Sequence, residues 1–279
     1  MCERPKNAIT HDMVHHLRYD KPKFTVAHDM KPTKFWPGAR FMVVCENGDL
    51  NTAAYCLANF MQEPFQDYPM ATVAVQESIR DDFIERVRIR FKQLKPHVAL
   101  HPNFERNYNL LKHDGNIKYV VAYDEDAPAC ASPVLVTEGV THIYFPSGAT
   151  GMTTLHKFET IPDVSLIFGK ETPPFDSICI FDEGIISVYD LAPRVKCVKF
   201  FVNCIDVSLV PIMEYYSSRT PRVVYKNGYH YETLSMNDTW RIIVYPYLAS
   251  LARPCCCPAG LCNCHFTNLI CCEENLHLK

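Results

Sequence analysis

No glycine-rich phosphate loop can be read in this chain, which has ten glycines among 279 residues. Its one glycine cluster, Pro146-Ser-Gly-Ala-Thr-Gly-Met152, lacks the Gly-Lys-Ser/Thr ending of one nucleotide-binding loop and the spacing of the other. It reads as a flexible turn between strands. An excess of charge is lacking too: 28 basic against 31 acidic groups leave a formal −3, which gives no general attraction to nucleic acid or anionic membranes. No apolar run approaches the roughly 20 residues of a membrane span, and Met1-Cys-Glu-Arg-Pro-Lys-Asn7 has no signal-peptide core. The expectation is a soluble intracellular chain with no nucleic-acid partner and no membrane span.

The chain does have enough apolar residues, 48%, to bury a substantial core. It also has fourteen cysteines. Half of them (Cys2, Cys45, Cys56, Cys130, Cys179, Cys197 and Cys204) are scattered singly, as expected of buried thiols in a reducing compartment, and the others crowd residues 255–272.

Three segments differ in texture. Residues 1–40 are rich in His, Lys and Pro without an apolar period and read as an extended arm, with His11, His15, His16 and His28 solvated or facing a partner. Residues 41–250 alternate strands and helices. Phe41–Cys45 and Thr72–Gln76 read as strands, and Asp49 as the cap of a helix through Gln62. Ser78 and Asp81 resemble a capping box before a helix carrying Ile79, Phe83, Val87, Phe91 and Leu94 up to Pro96. Strands are expected at Lys118–Tyr123, Val134–Thr137, Ser177–Phe181 and Lys199–Asn203, and helices near Ile161–Phe168 and Gly184–Lys196. A hairpin is expected around Lys226-Asn-Gly228, with a last strand at Trp240–Tyr247. The pattern predicts an α/β domain with a mostly parallel sheet flanked by helices. Residues 251–279 form a Cys-rich tail.

Several blocks, in order over about residues 35–225, resemble the catalytic domain of the aldehyde dehydrogenases. Phe41-Met-Val-Val-Cys-Glu-Asn-Gly-Asp-Leu-Asn-Thr-Ala-Ala54 is similar to that family's strand, acidic turn and helix. Val75-Gln-Glu-Ser-Ile79 with Phe83-Ile-Glu-Arg-Val87 resembles the strand and helix after its nucleophile. His156-Lys-Phe-Glu-Thr-Ile-Pro-Asp-Val164 resembles its phenylalanine-centred strand and following helix, and Phe201-Val-Asn-Cys-Ile-Asp-Val207 its late Val-Asn-Cys strand. The resemblance implies a cysteine thiolate that attacks an aldehyde, a glutamate base and a nicotinamide cofactor.

The departures fall on that chemistry. The nucleophile position is held by Asp67 or Pro69, with Tyr68 between them, and none can form a thioester. The base position is Phe35, which has no titratable group, and of the surrounding motif only Gly38 survives. The glutamate that grips the cofactor ribose has no counterpart between Glu138 and Glu159, and Ser147 stands in its place. About 35 unrelated residues precede the matched region, where the family carries its nucleotide-binding domain. These departures predict a pseudoenzyme that binds no cofactor.

Cys130 and Cys204 are better read as packing residues than as nucleophiles. The tyrosines at 215, 216, 225, 229, 231, 245 and 247 suit either an interface or a core. In the tail, Cys257, Cys262, Cys264 and His265 include enough soft ligands for zinc, although adjacent cysteines constrain the geometry badly. Lipidation and interchain disulfides are the other readings. The tail wording, Cys255-Cys-Cys-Pro-Ala-Gly260, also resembles Cys-Pro-Gly stretches of insect sperm-tail proteins. The sequence therefore predicts a scaffold that docks to other proteins, such as tubulin or axonemal proteins, or to itself, in the cytoplasm or cytoskeleton, with a flagellum as the specific expectation. The rivals are an enzyme of changed chemistry using Asp67 or His142, and a redox or metal sensor run by the tail.

Overall fold

Two of the apolar runs become neighbouring inner strands. In the computed structural model, which describes residue 36 and residues 38–247 apart from 139 and 147, β1 (Ala39–Val44) and β2 (Met70–Gln76) pair in parallel. Nearly every side chain on both is buried, as a strand covered on two faces requires. Between them, Asp49 caps α1 (Leu50–Met61), its Oδ1 accepting the N–H groups of Asn51 and Thr52 at 3.0 Å each. At Gly48, just before the cap, an added Cβ would lie 2.5 Å from the Phe181 carbonyl oxygen, so the turn can lie against the next strand only as glycine.

The remaining strands are β3 (Lys118–Val120), β4 (Leu135–Glu138), β5 (Thr153–Phe158), β6 (Phe175–Phe181), β7 (Lys199–Val202), β8 (Arg222–Lys226), β9 (Tyr229–Met236) and β10 (Thr239–Pro246). They complete a ten-stranded sheet in the order β3-β4-β5-β2-β1-β6-β7-β10-β9-β8. From β4 to β10 the neighbours run parallel, while β3 and the β8–β9 hairpin close the two ends antiparallel. The fold is thus the mostly parallel α/β sheet that the alternating pattern predicts.

Helices cover both faces. On one, α1, α2 (Arg80–Arg88) and α7 (Val210–Ser217) pack Leu57, Phe83 and Ile212 onto Met42, Val73 and Cys179. On the other, α5 (Ile161–Lys170) and α6 (Ile186–Leu191) bring Val164, Val188 and Leu191 onto Phe41 and Ile178. A third cluster joins α3 (Pro96–Ala99) and α4 (Pro102–His113) to the β3–β4 end through Phe104, Leu111 and Val136.

Two local expectations are corrected. Ser78 caps no helix: its hydroxyl donates to Glu46 Oε2 at 2.7 Å, and it lies in a short 3-10 turn, Glu77–Ile79. The following helix stops at Arg88, so Phe91 and Leu94 reach the core from irregular backbone. No side chain caps α2, whereas at the start of α5 Asp163 accepts the Thr160 backbone N–H and hydroxyl at 2.8 Å each.

Candidate functional site

Gly38 directly precedes β1 and Asp67-Tyr-Pro69 directly precedes β2. Because those strands are parallel neighbours, with Arg40 N–H donating to the Pro69 carbonyl at 2.8 Å, both segments meet at the amino-terminal edge of the sheet. Tyr68 adopts φ 58°, a conformation uncommon for an aromatic residue. Its ring lies on Gly38: a Cβ there would come within 3.0 Å of two ring carbons, and Gly38 itself has φ 117°. Two cations flank the same ring, Arg40 at 6.0 Å and Lys199 at 5.9 Å from its centroid. Both are held from elsewhere, Arg40 by Asp206 and by the Phe60 ring at 4.6 Å, and Lys199 by Asp176 at 2.7 Å. Pro69 is buried and Asp67 is exposed. Phe35 and Ser147 lie outside the described residues, as do Cys257, Cys262, Cys264 and His265.

His142 lies nearby in the fold, edge-on to Trp36 at 5.3 Å. Its Nδ1 is 3.0 Å from Glu171 Oε2, while Glu171 Oε1 takes His156 Nε2 at 2.7 Å and the Thr154 hydroxyl at 2.8 Å. The His142 and Glu171 side chains are 1% and 0% exposed. Burial by itself would raise the Glu171 carboxyl, but the hydrogen bonds from His142 and His156 outweigh it and hold the group well below the usual carboxylate range. The other ring nitrogen of His142 faces the Met152 carbonyl at 3.4 Å. A carboxylate-oriented histidine is general-base geometry, yet here both ring nitrogens are turned to protein groups. Glu171 could not be singled out in the sequence, because no local pattern links it to His142, 29 residues away.

The glycine cluster, expected to be a flexible turn, is largely enclosed by protein. Ala149, Thr150, Gly151 and Met152 are buried, and α4 clamps them: Asn103 donates to the Ala149 carbonyl at 2.7 Å and Asn107 to the Thr150 carbonyl at 2.9 Å. At Gly151, φ 75°, an added Cβ would meet Phe65 at 2.7 Å. Beside it, Phe65 stacks on His101 at 3.6 Å, and burial lowers the His101 pKa to about 4. These buried side chains offer no carboxylate to a cofactor ribose, so the stretch does not fit that group.

Five of the singly placed thiols, Cys45, Cys56, Cys179, Cys197 and Cys204, are buried as expected, and Cys2 lies outside the described residues. Burial, with the Asp182 and Glu46 charges behind it, pushes Cys45 up to about 12. Burial likewise pushes Cys179 to about 12 and Cys197 to about 11, and it raises Cys56 and Cys204 as well. Such thiols are poor nucleophiles. Cys130 is partly exposed. Among the described residues no group of three His, Cys, Asp or Glu could hold a metal ion, and no helix is long and apolar enough to cross a membrane. The tyrosines divide: Tyr231 is buried, Tyr225 and Tyr247 are exposed, and Tyr229 and Tyr245 are intermediate.

Residues 35–251 match a protein family described as "Protein of unknown function (DUF1487)". No curated protein matches the chain. Solved structures similar to it include a betaine aldehyde dehydrogenase from Staphylococcus aureus, at 14% identity and TM-score 0.49 over 61% of this chain and 38% of that one. Others are an aldehyde dehydrogenase from Pseudomonas aeruginosa, at 17% identity and TM-score 0.47 over 61% and 39%, and an NAD-dependent benzaldehyde dehydrogenase from Corynebacterium glutamicum, at 14% and 0.48 over 64% and 42%. The matched part of the chain thus spans about two-fifths of the length of these structures.

Proposed function

Since this chain belongs to the DUF1487 family, whose description assigns no activity, we propose that it is a non-catalytic relative of the aldehyde dehydrogenases that serves as a structural scaffold in a larger protein assembly. The loop before β2 carries this reading. Where the resembled family would present a thiolate, this chain packs the Tyr68 ring on Gly38 and leaves Asp67 in solvent. Neither group can form and release a thioester. The buried thiols, with raised pKa values, supply no substitute among the described residues. A microtubule-based assembly such as a sperm axoneme, with tubulin or axonemal proteins as partners, is the setting we propose from the wording of residues 254–265; self-association and zinc held by the tail thiols belong to the same proposal.

Calorimetric titration of NAD into the full chain tests the reading. Absent or millimolar binding is expected, and micromolar binding overturns it. A second reading, an enzyme of changed chemistry, is favoured by the buried His142–Glu171 pair. It requires a reactant to reach His142, so turnover of any small molecule that is abolished by His142→Gln would establish it over the scaffold. The tail-sensor reading predicts instead that alkylating Cys255–Cys272 abolishes function while the sheet stays folded.

A further inference from the structure

Among the described residues, the β8 end of the sheet is an open edge. The order of strands stops at β8, and four of its five residues are exposed, with Val223 at 42% and Tyr225 at 62%. Asn227 and Gly228 both have positive φ, so a two-residue turn closes on the Lys226–Tyr229 pair. Antiparallel alternation then fixes which backbone groups are free: Arg222, Val224 and Lys226 bond to β9, while the N–H and C=O groups of Val223 and Tyr225 point outward. The same alternation sorts the side chains. Arg222 and Lys226 fall on one face with Val224, and neither has a carboxylate partner among the described residues; Arg222 lies over the Tyr215 ring at 5.4 Å. Val223 and Tyr225 fall on the other face, where Tyr225 stands edge-on to His230 at 5.1 Å and to Tyr247 at 5.5 Å.

We propose that β8 is a docking edge for an extended acidic segment of a partner protein, which adds as an eleventh strand and places carboxylates four residues apart against Arg222 and Lys226. This rests on the scaffold reading and names the chemistry of one partner. Charge complementarity selects that occupant. A second copy paired symmetrically about Val224 would set Arg222 against Lys226 twice, and like charges directly opposite one another are destabilising. Pro221 blocks the neighbouring register on one side by lacking an N–H.

The test is amide hydrogen exchange and fluorescence anisotropy on the full chain with a labelled peptide containing Glu-Val-Thr-Val-Glu, and with its Lys-Val-Thr-Val-Lys counterpart as control. In the free chain the Val223 and Tyr225 amides should exchange readily, and the acidic peptide should protect both. Affinity should fall at least about tenfold in Arg222→Glu/Lys226→Glu. It should also be lost in Val223→Pro, which removes an outward N–H and no ladder bond to β9. Equal binding of the two peptides overturns the inference. So does protection of both amides before peptide is added, whether through a second copy, seen as a dimer by sedimentation, or through residues 248–279 of the same chain; Tyr247, the residue before them, donates its N–H to the Gly228 carbonyl in the hairpin turn. NAD titrated into the same sample separates the two failures: no peptide binding with no NAD binding sinks the docking edge alone, and micromolar NAD binding sinks the scaffold reading.

Discussion

Glu171 and His142 meet at 3.0 Å in the interior, the carboxylate fully enclosed and the imidazole nearly so. Enclosing a charge is costly unless every lone pair is used, and here both oxygens are: Oε2 by His142, Oε1 by His156 and Thr154. Glu171→Ala should therefore cost about 1–3 kcal/mol in urea unfolding, because it leaves the buried groups of His142, His156 and Thr154 without their acceptor.

The same pair sets an acid limit. The folded Glu171 carboxyl lies below its ordinary value, so its contribution is fully present above the unfolded carboxylate pKa of about 4.3 and is lost as pH falls through the folded one. Unfolding free energy measured across this acid range should decline in the wild type and decline less steeply in Glu171→Gln. Equal slopes would show that other carboxylates govern acid unfolding.

Gly38→Ala should be destabilising by about 1–3 kcal/mol, since it meets both the Tyr68 ring and a positive φ. In a Tyr68→Gly background the ring is gone and only the backbone term remains. A double-mutant cycle read by thermal unfolding should give a coupling of about 1 kcal/mol or more, whereas strict additivity would mean that the loop moves away from the new methyl.

The clamp on Ala149–Met152 should be measurable through α4. Asn107→Ala leaves the buried Thr150 carbonyl without its donor, at a cost of about 1–3 kcal/mol. Limited proteolysis should then cut near residues 146–152 in the variant and spare the wild type there.

Iodoacetamide applied to the native chain should leave Cys45, Cys56, Cys179, Cys197 and Cys204 unmodified, since burial keeps each of them a thiol at neutral pH. Mass spectrometry after labelling in denaturant should find all five alkylated. Rapid native labelling of Cys45 or Cys204 would place that thiol nearer to solvent than its burial implies.

What the sequence determined by itself is what short-range physics decides. Asp49 caps the first helix because its carboxylate lies two and three residues from the amides it accepts. Asn227-Gly228 closes a hairpin because both residues tolerate positive φ, and the inner strands read as apolar runs because they are buried on two faces. The same short range misled at Ser78, whose hydroxyl oxygen caps no helix amide and whose proton goes to Glu46, 32 residues away. Only the tertiary structure decided that β6 lies beside β1, that Tyr68 covers Gly38, and that Glu171 joins His142 to His156. Those contacts depend on how helices and strands pack across the whole sheet. Local propensity and spacing carry no record of that packing.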